Sequence, residues 1–80
     1  MTKADVPQIV RKCIARRFGV DVKSITDKTV AADVPGWDSL AYAELLMMIE
    51  QSLDVMLPVN QLLYVEDVGA LTLKIQEQLR

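Results

Sequence analysis

The fold is decided by residues 37–54, which read WDSLAYAELLMMIEQSLD. At 100° per residue, one arc of this stretch is apolar enough to face a core. That arc holds Tyr42, Leu45, Leu46, Ile49 and Leu53. Asp38 suits the N-cap, because its carboxylate can accept first-turn N–H groups. Trp37 and Tyr42 stand at the spacing of a hydrophobic staple. The pattern predicts an amphipathic helix that begins at Asp38 or Ser39 and ends near Leu53 or Asp54.

A second apolar stripe lies on the opposite side of this helix. It consists of Leu40, Ala43 and Met47, and it is flanked by Glu44 and Glu50. A small bundle has no second core for these side chains. An exposed apolar strip rimmed by acids is typical of a protein-docking face. Ordinary surface scatter, or burial under a neighbouring loop, stays open as an alternative.

A first helix is predicted upstream, over residues 6–18. Asp5 is expected to cap it, Pro7 suits its first turn, and Gly19 is a natural stop. Its apolar side holds Ile9, Val10, Cys13, Ile14 and Phe18. Its opposite side is basic and is expected to face solvent; it holds Lys12 and Arg16 among others.

Residues 20–37 form a long connection with no predicted helix, a length that is often functional. Apolar residues recur along it and are expected to pin it to the core: Val20, Val22, Ile25, Val30, Val34 and Trp37. Pro35–Gly36 favours a tight turn directly before the helix that Asp38 caps. The loop is therefore predicted to be ordered.

Two further helical pieces are predicted after the break at Pro58. The first is short, over residues 60–64, with Leu62, Leu63 or Tyr64 turned inward. The second covers residues 67–79, and Glu66 and Asp67 favour its N-terminus electrostatically. The whole pattern predicts an all-α, four-helix bundle with a short third helix and a long loop between helices 1 and 2. Residues 1–80 are expected to form a single domain.

Composition excludes several function classes. The chain has no histidine and one cysteine, which rules out most zinc sites, Ser–His–Asp or Cys–His catalysis, and an internal disulfide. Cys13 is expected to be a buried core residue, and the carboxylates show no metal-ligand spacing. The net charge of −2 argues against nucleic-acid binding. No apolar run is long enough to span a membrane, and the start lacks an apolar signal core, so we expect a cytoplasmic protein.

Ser39 is the remaining candidate for chemistry. A serine at a helix start is commonly no more than a capping residue. A helix N-terminus also presents free N–H groups and a partial positive charge, which stabilise a phosphate attached there. Ser39 is therefore well placed to carry a phosphodiester.

The segment Gly36–Trp37–Asp38–Ser39–Leu40 resembles the phosphopantetheine attachment motif of acyl carrier proteins, whose core is Asp–Ser–Leu. The similarity extends over essentially the whole chain. Further segments that resemble the family are Ile25–Thr26, Glu44–Leu45–Leu46–Met47, Ile49–Glu50, Leu57–Pro58 and Val68–Gly69–Ala70–Leu71. In register with four helices, the motif is a specific signal.

The resemblance implies a non-catalytic carrier of the acyl-carrier fold. Ser39 would carry 4′-phosphopantetheine, installed from coenzyme A by a separate phosphopantetheinyl transferase, and Asp38 would help that transferase and its metal ion engage. The arm's thiol would hold an acyl group as a thioester. An acyl-loading ligase and acyl-transfer or condensing enzymes would be the other partners of an expected monomer. The implied docking residues are Leu40, Ala43, Glu44, Met47 and Glu50.

Departures from the family pattern favour a specialised pathway over general fatty-acid synthesis. General members have a strongly acidic second helix. Here Ala41 stands two residues after the serine, and the stretch after Ile49, which is acid-rich in those members, is only Glu50–Gln51–Ser52. The implied cargo is a fatty-acid-like, polyketide, lipid or surface-polysaccharide acyl group. An aminoacyl carrier of the D-alanyl or peptidyl type, and an unmodified helical interaction module, stay open as alternatives.

Overall fold

The computed structural model describes residues 5–62 and 64–79, and these residues form four α-helices. The helices are α1 (Val6–Phe18), α2 (Ser39–Leu53), α3 (Val59–Leu62) and α4 (Val68–Gln78). Single 3₁₀ turns at Val22–Ser24 and Ala31–Asp33 interrupt the α1–α2 loop. The all-α fold with a short third helix is confirmed. No helix in the described ranges is long and apolar enough to cross a membrane.

Helix α1 has the predicted bounds because its end is marked locally. Gly19 takes a left-handed conformation (φ 68°), and its N–H donates to the Ala15 carbonyl. The predicted N-cap bond is absent, since the Asp5 side chain accepts no capping hydrogen bond and its backbone is helical rather than extended. Pro7 lies in the first turn, where its missing N–H costs no hydrogen bond.

Helix α2 turns its apolar arc into the core, as predicted. The fully enclosed side chains there include Leu45, Leu46 and Ile49. Asp54 ends the helix in a left-handed conformation (φ 54°), with its N–H bonded to the Glu50 carbonyl. The core joins these residues to one face of each neighbouring element; it includes Val6, Val10, Ile14, Ile25, Leu62, Val68, Leu71 and Ile75.

Each of the last two helices begins one residue from its predicted start. Helix α3 starts at Val59 and has Leu62 turned inward, which confirms one of the three residues offered for the core, whereas Tyr64 is 88% exposed. Leu63, the other candidate for burial, lies outside the described residues. Asp67 is the N-cap of α4 rather than its first residue.

The α1–α2 loop is pinned to the core by most of its predicted anchors. Ile25 and Val34 are buried, while Val20 and Trp37 pack partly buried against the core. Val22 is exposed, so its predicted anchoring role is wrong; it lies in a 3₁₀ turn on the surface. The loop therefore packs across the bundle and leads directly into the start of α2.

Candidate functional site

The site is the N-terminus of α2. Asp38 is its N-cap in extended conformation, and its Oδ1 accepts the Ala41 N–H at 2.8 Å. Ser39 is the first helical residue, and it is exposed. Within the described chain, the backbone N–H groups of Ser39 and Leu40 donate to no protein acceptor. The helix thus starts with an accessible hydroxyl beside open donors, an arrangement that attracts an anion.

A tight turn and stacked rings hold this helix start in place. The Trp37 N–H donates to the Val34 carbonyl at 3.2 Å, and Gly36 has φ 86°, which fits the third position of a type II turn after Pro35. The Trp37 ring stacks on Phe18 at 5.1 Å and on Tyr42 at 5.8 Å between centroids. The predicted staple between Trp37 and Tyr42 is confirmed.

Tyr42 also ties α2 to α3. Its hydroxyl donates to the Leu62 carbonyl in a buried hydrogen bond. Burial disfavours the charged phenolate and raises the pKa of Tyr42 to about 12. The phenol therefore stays protonated and keeps its donor far above neutral pH.

A cavity of about 270 Å³ opens beside Ser39. It is lined by Ala31, Trp37, Asp38, Ser39, Tyr42, Val65, Glu66, Asp67 and Leu71. The loop, the start of α2 and the start of α4 thus share one cleft. The residues from α4 and from the connection before it were missed in the sequence, because no local signal shows that residues 65–67 meet residue 39.

The start of α4 is closed by the loop. The Val68 N–H donates to the Thr29 carbonyl at 2.9 Å, and the Gly69 N–H to the Asp27 carbonyl at 2.8 Å. Asp67 caps the same turn by accepting the Ala70 N–H at 2.8 Å. The first turn of α4 is therefore bonded to the α1–α2 loop, and its backbone N–H groups already have acceptors.

The predicted docking residues lie mostly on the surface. Leu40 is 72% and Met47 57% exposed, and Ala43 is also exposed. Glu44 accepts a hydrogen bond from the Arg17 guanidinium at 3.2 Å. Glu50 accepts the Leu57 N–H at 2.8 Å. Both carboxylates of α2 are therefore engaged within the chain, which the sequence pattern did not show.

The other candidate groups are Cys13 and the carboxylates, and they form no metal-binding cluster among the described residues. Cys13 is buried, as expected, with its sulfur 3.6 Å from the Ser52 hydroxyl. Among the described residues, no three carboxylate or thiol side chains group to hold a metal ion. Ser39 and its surroundings therefore remain the site.

Comparison with known proteins shows the family to which the chain belongs. The family model for the phosphopantetheine attachment site matches residues 8–75. The chain belongs to the acyl carrier protein family. Carriers of this family use 4′-phosphopantetheine as their cofactor and interact with enzymes.

Curated acyl carrier proteins are similar along most of their length. The acyl carrier protein of Phenylobacterium zucineum (strain HLK1) is 33% identical over 76 residues, which cover 95% of this chain and 96% of the relative. That of Caulobacter vibrioides (strain NA1000 / CB15N) is 30% identical over 66 residues, covering 82% of this chain and 85% of the relative. No solved structure gave a significant match.

Proposed function

We propose that Ser39 carries 4′-phosphopantetheine and that the chain presents acyl groups to partner enzymes from this arm. One observation supports the assignment above the others. Ser39 is the exposed first residue of α2, at a helix start whose first two N–H groups have no acceptor in the described chain. A phosphodiester there meets the positive end of the helix dipole.

The residues around Ser39 fit this group. Asp38 holds the first turn by its bond to Ala41, so the backbone at Ser39 keeps a fixed position. Trp37 and Tyr42 form a rigid wall of the cleft beside it. When attached, the arm supplies a thiol that holds the acyl group as a thioester. The protein's own contribution is to fix the attachment point and leave the reacting end free to reach an enzyme.

We propose that a separate transferase performs the attachment, which agrees with a chain that has no histidine, the usual base near pH 7. The Ser39 oxygen forms a bond to the phosphorus nearest the pantetheine in coenzyme A. The pyrophosphate bond breaks, adenosine 3′,5′-bisphosphate leaves, and the serine proton passes to the transferase. Asp38 lies next to the attacking hydroxyl, where it helps the transferase and its metal ion engage.

Intact mass after incubation with coenzyme A and a broad phosphopantetheinyl transferase tests the assignment. We expect one phosphopantetheine per chain in the wild type and none in Ser39→Ala. Ser52→Ala is the matched control, since it removes an exposed hydroxyl of the same helix and leaves the N-terminus intact. A folded wild type without mass gain would contradict the carrier proposal and leave the unmodified interaction module as the alternative. Equal gain in Ser39→Ala would place the arm elsewhere.

Partner enzymes are proposed to dock on the exposed stripe of α2, formed by Leu40, Ala43 and Met47. Leu40→Glu and Met47→Glu should each raise KM for acyl transfer about tenfold, as expected for a central apolar contact. Leu73→Glu is the control, because Leu73 is a comparably exposed leucine on α4 (61%). Thermal unfolding should change little in all three. A large loss of stability in the α2 variants would instead place their side chains in the core.

The pathway is proposed to be specialised. Ala41, two residues after Ser39, is a buried apolar residue in a helix that is strongly acidic in general members, so the first turn of α2 lacks a carboxylate there. A fatty-acid-like, polyketide, lipid or surface-polysaccharide acyl group is the proposed cargo. The cleft's acidic residues, Asp38, Glu66 and Asp67, favour one alternative, an aminoacyl cargo with a positive charge. Loading of the modified thiol by an acyl ligase or by an amino-acid-adenylating enzyme distinguishes the two.

A further inference from the structure

Helix α2 and its two caps carry only negative charge. Residues 38–54 hold the carboxylates of Asp38, Glu44, Glu50 and Asp54, and they hold no lysine or arginine. A carboxylate that accepts a hydrogen bond from a backbone N–H keeps its charge, so the bonds of Asp38 and Glu50 do not neutralise them. The exposed stripe of α2 therefore lies on an acidic helix, which a partner surface with lysines or arginines would complement.

Glu44 is the acid that neighbours the whole stripe. It follows Ala43 in the chain and lies one turn from Leu40 and from Met47, at the i, i+4 and i, i+3 spacings of neighbours on a helix surface. Its side chain is 50% exposed, and only its Oε1 has a donor among the described residues. A cationic side chain of a partner that covers the stripe can therefore reach this carboxylate.

Arg17 of α1 already holds the Glu44 carboxylate. Its Nη2 lies 3.2 Å from Oε1 of Glu44. The same guanidinium lies over the Phe18 ring, with its Cζ 5.3 Å from the ring centroid, and Phe18 in turn stacks on Trp37. Two contacts therefore hold Arg17 beside Glu44.

A partner's cation at Glu44 meets Arg17 in one of two ways. It displaces Arg17 from Oε1 and breaks the ion pair, or it bonds Oε2 and lies close to a like charge. Both lower the affinity that the partner gains from Glu44. Arg16, the neighbouring residue, is exposed and makes no ion pair with a described residue, so nothing links its charge to this carboxylate.

Resting on the proposed carrier function, we propose that Arg17 competes with a lysine or arginine of the partner enzyme for Glu44. Arg17 is thus a specificity residue. It weakens the docking of enzymes whose carrier-binding surface is basic, and it leaves the docking of uncharged apolar surfaces unchanged.

The probe is a condensing enzyme of general fatty-acid synthesis with a basic carrier-binding surface, used beside a variant with those basic residues replaced by glutamine. The carrier is prepared in its octanoyl form with octanoyl coenzyme A and the broad transferase, and modification at Ser39 is checked by mass. KM for octanoyl transfer is then measured for wild type, Arg17→Gln, Glu44→Gln and Arg16→Gln. Arg16→Gln is the matched control, since it makes the same change in charge at the neighbouring residue of α1.

With the basic enzyme, Arg17→Gln should lower KM about twofold to fivefold, the size expected for one exposed ion pair. Glu44→Gln should raise KM by a similar factor, because the partner's cation loses its carboxylate. Arg16→Gln should have a clearly smaller effect than Arg17→Gln. With the glutamine-bearing enzyme, Arg17→Gln should leave KM unchanged, because no partner cation is left to compete.

A higher KM in Arg17→Gln would mean that Arg17 positions Glu44 for the partner, and it would overturn the proposal. Equal KM values for wild type and Arg17→Gln, an equal gain in Arg16→Gln, or no transfer from either carrier to the basic enzyme would overturn it as well. If Arg17→Gln unfolds, Arg17→Met gives the same test with an apolar side chain of similar length. Absence of mass gain at Ser39 would instead remove the carrier function on which the proposal rests.

Discussion

Helices α2 and α4 begin with the same capping chemistry but hold their first turns in different ways. Each starts after an aspartate in extended conformation that accepts the third N–H of its helix, Asp38 from Ala41 and Asp67 from Ala70, both at 2.8 Å. In α4 the first two N–H groups are bonded to loop carbonyls. In α2 the same two groups meet no acceptor in the described ranges.

The difference shows how the N-terminus of α2 keeps its first two N–H groups unbonded within the described chain and still holds a fixed position. The first turn of α4 is held by its backbone, and it can take nothing more. The first turn of α2 is held by side chains, through the stack of Phe18, Trp37 and Tyr42 and the bond from Tyr42 to Leu62. Its first two N–H groups therefore stay without an acceptor in the described ranges, and Ser39 stays exposed.

The largest expected effect is at the closed terminus. A Cβ on Gly69 would lie 3.0 Å from the Asp27 Cβ and 3.1 Å from its carbonyl oxygen, so a larger side chain must push the loop away. Gly69→Val should therefore lower the free energy of unfolding by about 1–3 kcal/mol, measured by urea denaturation.

Leu40 is the matched position, since it is the second residue of α2 as Gly69 is the second of α4. Leu40→Ala should change stability by no more than about 0.5 kcal/mol, because its side chain is exposed. Equal losses in the two variants would mean that the loop does not brace α4, and the contrast between the termini would fail.

The open terminus could be predicted from the sequence, because its signals are local. The cap, the staple and the Pro–Gly turn fall within residues 35–42 and act through neighbouring residues. The bounds of α1 followed from Gly19 in the same way. Binary patterning likewise placed the core face of α2, because period and burial are linked along a helix.

The closed terminus could not be predicted. Its bonds join Val68 to Thr29 and Gly69 to Asp27 through backbone atoms, which every residue type carries alike. The engagement of Glu44 and Glu50 was missed for a related reason, since long side chains choose partners only once the helices have packed. The cleft beside Ser39 depends on the same tertiary meeting of loop, α2 and α4.

The side-chain anchor of α2 should be sensitive to alkaline pH. Burial raises the pKa of Tyr42 from 10.0 to about 12, so the folded chain holds this proton where the unfolded chain loses it. Its contribution is complete below pH 10 and is lost as pH rises through 12. We expect a loss of about 1–2 kcal/mol across this window, measured by denaturation at successive pH values.

Two substitutions separate Tyr42 from other alkaline titrations. Tyr42→Phe should flatten the loss above pH 10, and at neutral pH it should cost about 1–2 kcal/mol because the Leu62 carbonyl loses its donor. Tyr64→Phe should leave the profile as in wild type, since Tyr64 is 88% exposed. A Tyr42→Phe profile as steep as that of wild type would assign the loss to other groups.

The smallest expected effect is the loss of stability when the N-cap aspartate of α2 or of α4 is removed. Asp38→Ala should cost about 1 kcal/mol, because it leaves three first-turn N–H groups of α2 without a protein acceptor. Asp67→Ala should cost about 0.5 kcal/mol, since Val68 and Gly69 keep their bonds to the loop and prevent fraying. Asparagine at either position should restore most of the loss, because its side-chain oxygen accepts the same bond.

Amide hydrogen exchange measures the same difference at single residues. Ala41 and Tyr42 should exchange faster in Asp38→Ala, whereas Leu71 should stay protected in Asp67→Ala. If α4 frays as readily as α2, its loop bonds do not stabilise the first turn, and the openness of the Ser39 terminus is no longer distinctive.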